Sequence, residues 1–370
     1  MSLTLPVAEV FNQQQTLKAT VEQDARTAYF YLWPTEPLRG QFPVRGCWLR
    51  NLSPAPSEPD EEAYQQGIPP LLSAEFCRTL EPEPMIDPAG VTIVWEPGDE
   101  GAALWYHGQL LAVIPGWSLY QDQQVSFSAS CIKPNPLTAP LGSASTNKHY
   151  ALAEQHRQFW RDWTEGQRWG ALQRDMISCY ERHYGNALNY YTIDQGRWPP
   201  MAISQHLHQG VWYFLTLGMS IRPMPAVDYR LPEEAPRLRR AEVAMAIDAQ
   251  IMTQENALRM ATALAEFAHF PWQHFDWLQE GSVLTSELCP VGFEGFALSH
   301  ELADDKGQIV LPKVEGDRLQ LLWSTPITAN ELHYAATHSE GGKTVIGRLR
   351  AQGCSHIFRP RQDVCDADEF

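Results

Sequence analysis

The 370-residue chain has little positive charge, no apolar run long enough to span a bilayer, and no cysteine spacing that suggests a framework. Its 28 Lys and Arg stand against 44 Asp and Glu, a net charge of −16 with His neutral. That balance opposes nonspecific attraction to a phosphate backbone, so neither nucleic acid nor membrane is expected as a partner. Seven cysteines (Cys47, Cys77, Cys131, Cys179, Cys289, Cys354 and Cys365) are scattered, odd in number and nowhere spaced Cys-x-x-Cys. They read as reduced, mostly structural thiols of an intracellular protein. The opening Met1-Ser-Leu-Thr-Leu-Pro-Val-Ala-Glu-Val10 has no basic region before its short apolar run, and the chain is read as cytoplasmic. There is no repeat of fixed period.

What is present supports packed cores. Hydrophobic residues make up 44% of the chain and aromatics 11%, with 13 Trp, and the length suffices for two domains. Residues 28–33, 91–95, 103–106 and 110–114 have strand composition, and His107-Gly-Gln109 can close a hairpin between the last two. Residues 51–67, with three Pro among four acids, read as a solvated loop. A stretch rich in turn formers at 133–145 precedes a change to helical periodicity, which places the domain boundary there: 1–145 β-rich, 146–370 α+β. Helical patterns occupy 147–184, strands are expected at 188–193, 211–217, 241–247, 308–311 and 319–323, and a helix at 254–269 is expected to stop at Pro271. Two short helices near 329–338 and 344–352 follow, then a polar tail from Arg359 that is expected to fray, unless Cys365 and Phe370 tuck into a groove.

Few residues make a claim to chemistry. Ser339-Glu-Gly-Gly-Lys-Thr344 resembles the end of a phosphate loop, but Thr337 stands where the first Gly belongs, which leaves a glycine hinge with Lys343 in solvent. His206 and His208 share a strand face at a spacing that zinc sites use, without a third ligand nearby in sequence. Cys354, His356 and Cys365 are irregularly spaced. No Gly-x-Ser-x-Gly elbow exists, and the paired acids Glu61-Glu62, Glu233-Glu234 and Asp304-Asp305 sit in polar contexts that keep them solvated. Glu294, inside Val291-Gly-Phe-Glu-Gly-Phe-Ala-Leu298, is placed on the open face of a strand or toward a partner. Trp198, in Arg197-Trp-Pro-Pro-Met201, is a candidate interface anchor because a turn lets an aromatic project.

Two segments carry more. Gly210-Val-Trp-Tyr-Phe-Leu-Thr-Leu-Gly-Met-Ser220 reads as a strand covered on both faces that leaves through Gly218. Leu321-Leu-Trp-Ser-Thr-Pro-Ile-Thr-Ala-Asn-Glu331 reads as a strand ended by Pro326, then a capping box at Thr328–Glu331 that opens a helix. In order and separation these segments resemble the suppressor of fused family, whose domains show an aromatic strand ending in Gly-hydrophobic-Ser and a late strand followed by an acid opening a short helix. The resemblance covers residues 185–352. It implies a C-terminal suppressor of fused-like domain that binds protein without catalysis, and it assigns Phe214 to the family's binding cleft. Animal members place an acid after the Gly-hydrophobic-Ser turn; here Ile221-Arg-Pro-Met-Pro225 stands there.

The expectation is therefore a two-domain α+β protein, non-enzymatic and without cofactor or metal. It takes a protein or extended peptide partner, attracted if basic, through Phe214, Trp198 and Glu294. Bacterial relatives look like immunity proteins that neutralise toxins, and that role is implied here. A hydrolase whose site assembles only in the fold, or a zinc-stabilised module, are the alternatives.

Overall fold

The computed structural model describes residues 6–121, 125–166, 168–302 and 309–365. It divides the chain into two compact units, Met1–Gly166 and Gln167–Phe370. In the first unit β1 (Pro6–Phe11), β2 (Leu17–Gln23), β3 (Thr27–Pro34) and β4 (Arg45–Asn51) form an antiparallel meander. A second sheet joins β5 (Val91–Trp95), β6 (Ala102–Tyr106), β7 (Gln109–Ile114), β8 (Phe127–Ser128) and β9 (Ala139–Pro140) in that order. Between β6 and β7 the hairpin closes on His107 and Gly108, both at positive φ, as a two-residue turn matched to strand twist requires.

The stretch 51–67 is not all loop. Asp60 caps a short helix, α1 (Glu61–Gln66), by accepting from the Ala63 amide, and Arg26 pairs with the same carboxylate. The Pro-rich segment leads into α2 (Lys148–Thr164), whose Ala153 packs with Ala103, Trp105 and Leu110, so the first unit runs on through this helix.

The second unit is α+β. It opens with α3 (Arg168–Tyr184) and continues through β10 (Ala187–Thr192), β11 (Ala202–His208) and β12 (Val211–Leu217). Short helices α4 (Val227–Arg230) and α5 (Ala235–Leu238) precede β13 (Ala241–Asp248), followed by α6 (Gln254–Ala261) and α7 (Ala263–His274). Then come β14 (Val283–Thr285), β15 (Gly295–Ser299), β16 (Gln320–Ile327), α8 (Ala329–Thr337), α9 (Gly341–Ala351) and β17 (Ile357–Phe358). The strands make one sheet in the order β10-β11-β12-β13-β16-β15-β14, with β17 pairing β13 beyond the reach of β16. Pairing is antiparallel except where β13 meets β16 and β17.

Strand alternation sends Phe214, Val243, Met245, Ile247, Leu298 and Leu322 to one face, where Leu264, Phe267 and Trp272 of α7 cover them. Each large side chain so buried contributes about 1.5–3 kcal/mol. On the other face, toward the β15 side, Ala297 and Ile327 meet Val345, Ile346 and Leu349 of α9.

Both expected proline stops are corrected. Pro271 lies inside α7, and the break in the helical run falls earlier, at Thr262, whose hydroxyl donates back to the Arg259 carbonyl. Pro326 lies inside β16, past Trp323, where the register with β13 has ended and only β15 pairs with the strand. A missing N–H is tolerated at such a place. Residues 309–311 form no strand; residue 308 and the Asp304-Asp305 pair lie outside the described residues. Among the described residues no helix is long and apolar enough to cross a membrane.

Candidate functional site

The Gly-hydrophobic-Ser turn is built around a buried acid. At Gly218 the backbone takes φ 101°, and a Cβ there would lie 2.1 Å from the Pro200 carbonyl oxygen, so only glycine fits. The turn folds over Glu242 of β13, which is fully buried. Its carboxylate accepts from the amides of Gly218 (3.0 Å) and Ser220 (3.1 Å) and from the hydroxyls of Ser220 (2.6 Å) and Thr216 (2.7 Å). Burial pushes the Glu242 pKa up, and these hydrogen bonds oppose the push. From the other side buried Arg240 donates to the carbonyls of Ser220 and Ile221 and pairs with Asp317 at 2.8 Å, which also holds Arg239. Ser220 is thus a donor to a structural carboxylate and has no exposed surface.

The acid of the second motif is equally enclosed. Glu331 completes the capping box with Thr328 at the start of α8 and is fully buried. Arg361 meets it with two hydrogen bonds, 2.5 and 2.6 Å, and the Val364 amide adds a third at 2.9 Å. The tail is accordingly tied down as far as Cys365, which is buried, and Arg359 pairs with Asp248 at 2.7 Å. The expected fraying does not occur over residues 359–365; Phe370 lies outside the described residues.

The histidine and glycine candidates also belong to the fold. His206 lies buried in β11 with one ring nitrogen 2.7 Å from the Gly185 carbonyl oxygen and the other 3.1 Å from the Ser204 hydroxyl, which occupies both metal-binding positions. His356 lies tilted against Trp323, ring centroids 4.3 Å apart. Gly342, at the start of α9, lets the helix approach the Gly281 carbonyl, which a Cβ would meet at 1.9 Å. The glycines therefore serve close packing rather than a hinge, and Lys343 pairs with Glu340.

The three expected contact residues are not brought together. Phe214 has no exposed surface; it is core beneath α6 and α7 and offers nothing to a partner in this arrangement. Trp198 is half-buried in the β10–β11 connection, at one edge of the sheet. Glu294 is exposed just before β15, near the opposite edge, with its amide bonded to the Ile327 carbonyl at 3.0 Å.

Around Glu294 the β14–β15 connection and α7 shape an open basin of about 680 Å³, lined by Glu266, Thr285, Ser286, Glu287, Leu288, Cys289, Phe293 and Glu294. Glu266, Glu287 and Glu294 are exposed and, among the described residues, join no ion pair. Burial, with the nearby Glu294 and Glu266 charges, pushes the Cys289 thiol up to about 11, so it stays protonated and is a poor nucleophile. The basin is negative, wide and apolar at Phe293 and Leu288, an arrangement suited to receiving cationic side chains. Glu294 was findable in sequence because it interrupts an apolar run. Glu266 sits on the exposed face of a helix and Glu287 in a loop, and nothing in their spacing links them to Glu294.

No curated protein matches the chain. Residues 192–362 match the family model described as Suppressor of fused protein (SUFU), so the second unit carries a suppressor of fused domain, a protein-interaction module.

Proposed function

We propose that the chain is a non-enzymatic binding protein that sequesters a basic protein or an extended peptide of one, and that it serves as a bacterial immunity protein neutralising a toxin. The observation that carries this reading is the contrast within the suppressor of fused domain. Glu242, Glu331 and His206 are consumed by hydrogen bonds of the fold, while Glu266, Glu287 and Glu294 stand free around an open basin. Occlusion is the mechanism. Cationic side chains of the partner enter the basin, Phe293 and Leu288 supply the apolar contact, and the net charge of −16 speeds encounter.

The test is a pull-down from host lysate with tagged protein at low and moderate salt, beside a variant carrying Glu266→Lys, Glu287→Lys and Glu294→Lys. A single basic protein, retained by the native chain, released by salt and lost by the variant, supports the reading; suppression of that protein's toxicity on co-expression supports the immunity role. Retention of no specific protein, or retention indifferent to salt and to the variant, overturns it.

A further inference from the structure

The second unit carries a cavity of opposite sign. At the N-terminal end of β16, away from the Ile327 end that borders the basin, a pocket of about 230 Å³ is lined by Leu238, Ile309, Val310, Leu311, Leu321 and Trp323. Trp323 is almost wholly buried and forms part of an aromatic cluster, edge-on to Tyr184 and Tyr213 and tilted against His356. One wall of the pocket is therefore continuous with this aromatic core. Arg237, Lys313 and Arg318 also line the pocket; all three are exposed, and among the described residues none is in an ion pair. Two further side chains line it: the His300 imidazole, 3.8 Å from Glu280, and the acid Glu301, whose charge raises the pKa of the Tyr213 and Tyr184 hydroxyls after burial has done so.

Three cations outside any ion pair among the described residues, against one acid, around one pocket are out of keeping with a chain of net charge −16. With three cations and a single carboxylate, Glu301, in its lining the pocket is net positive, and an anionic occupant relieves the repulsion among the cations. The volume falls below the ~300–1,000 Å³ usual for small-molecule sites and is on the scale of a single side chain. We infer that this pocket docks an acidic peptide segment of a protein partner, seating one aromatic or large aliphatic side chain against Trp323 and Leu321 while flanking Asp or Glu residues meet Arg237, Lys313 and Arg318. The inference rests on the protein-binding reading above and adds the chemistry of a second recognised segment. Peptide docking of this kind takes its affinity from the buried anchor and its selectivity from the charged rim.

The experiment titrates the full chain with an array of short fluorescein-labelled peptides in which Trp, Phe or Leu is flanked by Asp and Glu, beside counterparts with Ala at the centre or Lys at the flanks. Saturable binding of the acidic aromatic peptides is expected, weakened by salt and by about tenfold or more in Arg237→Glu/Arg318→Glu, with a smaller loss in Lys313→Glu. The substituted side chains are exposed, and an unchanged thermal melt confirms folding. Equal binding by native and charge-reversed chains, equal binding of the Ala-centred peptides, or binding of the Lys-flanked peptides alone overturns the inference. A partner captured in the pull-down with an affinity indifferent to Arg237→Glu/Arg318→Glu overturns the pocket and leaves the protein-binding reading standing. Failure of the pull-down itself strikes that reading instead.

Discussion

Two groups of carboxylates in the second unit meet opposite fates. In the turn region Glu242 is sealed from water and accepts four hydrogen bonds from Thr216, Gly218 and Ser220. In the basin Glu266, Glu287 and Glu294 face solvent. The difference shows that the residues which make a family motif visible are those the fold consumes. A buried acid must be matched donor by donor, and such matching restricts which neighbours are possible. An exposed acid needs no partner to be stable, so it leaves little trace in sequence and remains available for recognition.

The comparison is broken most severely by removing an enclosed acid. Glu331→Ala leaves the Arg361 guanidinium half-enclosed without its counter-charge and frees the Val364 amide, at an expected cost of about 3–5 kcal/mol. A denaturant titration measures it, and limited proteolysis should show the segment after Phe358 cut earlier than in the native chain. Glu242→Ala is expected to cost at least as much, since four donors and the turn lose their acceptor together. Stability within about 1 kcal/mol of native in either variant would mean that enclosure is not what these acids contribute.

A smaller effect comes from an enclosed base in the first unit. His149 is buried, with its ring 4.7 Å from that of Phe127 and 5.9 Å from that of Trp117. Burial, aided by the Lys148 charge, lowers its pKa to about 4 from 6.5. Because the unfolded chain takes up the proton more readily, stability is full above the unfolded pKa and is lost as pH falls from about 6.5 toward 4, by on the order of 2–3 kcal/mol. His149→Phe keeps a ring in the stack and removes the ionisation. Thermal melts across that range should then show a flatter acid limb for the variant, and an unchanged slope would place the acid sensitivity elsewhere.

The smallest effect on stability belongs to the basin. Glu294→Ala, Glu287→Ala and Glu266→Ala should each shift stability by less than about 0.5 kcal/mol, because exposed charges without partners contribute little. Their effect is expected on partner affinity and its salt dependence. A clear loss of stability in any of them would erase the contrast with Glu242.

Much of the second unit was legible. Val211–Leu217 is a central strand because an unbroken apolar run of that length suits cover on both faces, and Thr328–Glu331 caps a helix because its spacing satisfies the first amides. The two prolines misled for different reasons. Pro326 is accommodated because one neighbouring strand has already ended, and Pro271 because α7 continues around it with its apolar side held in the core. Strands β1, β2 and β4 were not anticipated: their residues mix polar and apolar side chains, and only sheet pairing makes extended backbone the better choice there. Of the three contact residues expected, Phe214 had to be exposed to serve, and burial beneath α6 and α7 is a tertiary fact that local pattern does not carry.

Local chemistry, then, determined what depends on neighbours a few residues apart: the alternation of β12, the capping box, the turn at Gly218, and the resemblance those features carry. Tertiary structure decided which charged groups are matched and which are left over. Glu242 meets donors from Thr216 to Ser220, Glu331 meets Arg361, and Arg240 meets Asp317, all across gaps closed only by folding. The free carboxylates of the basin and the free cations beside Trp323 are what remained after that matching. Electrostatic interaction depends on distance in space and on exclusion of water, and neither is a property of position along the chain.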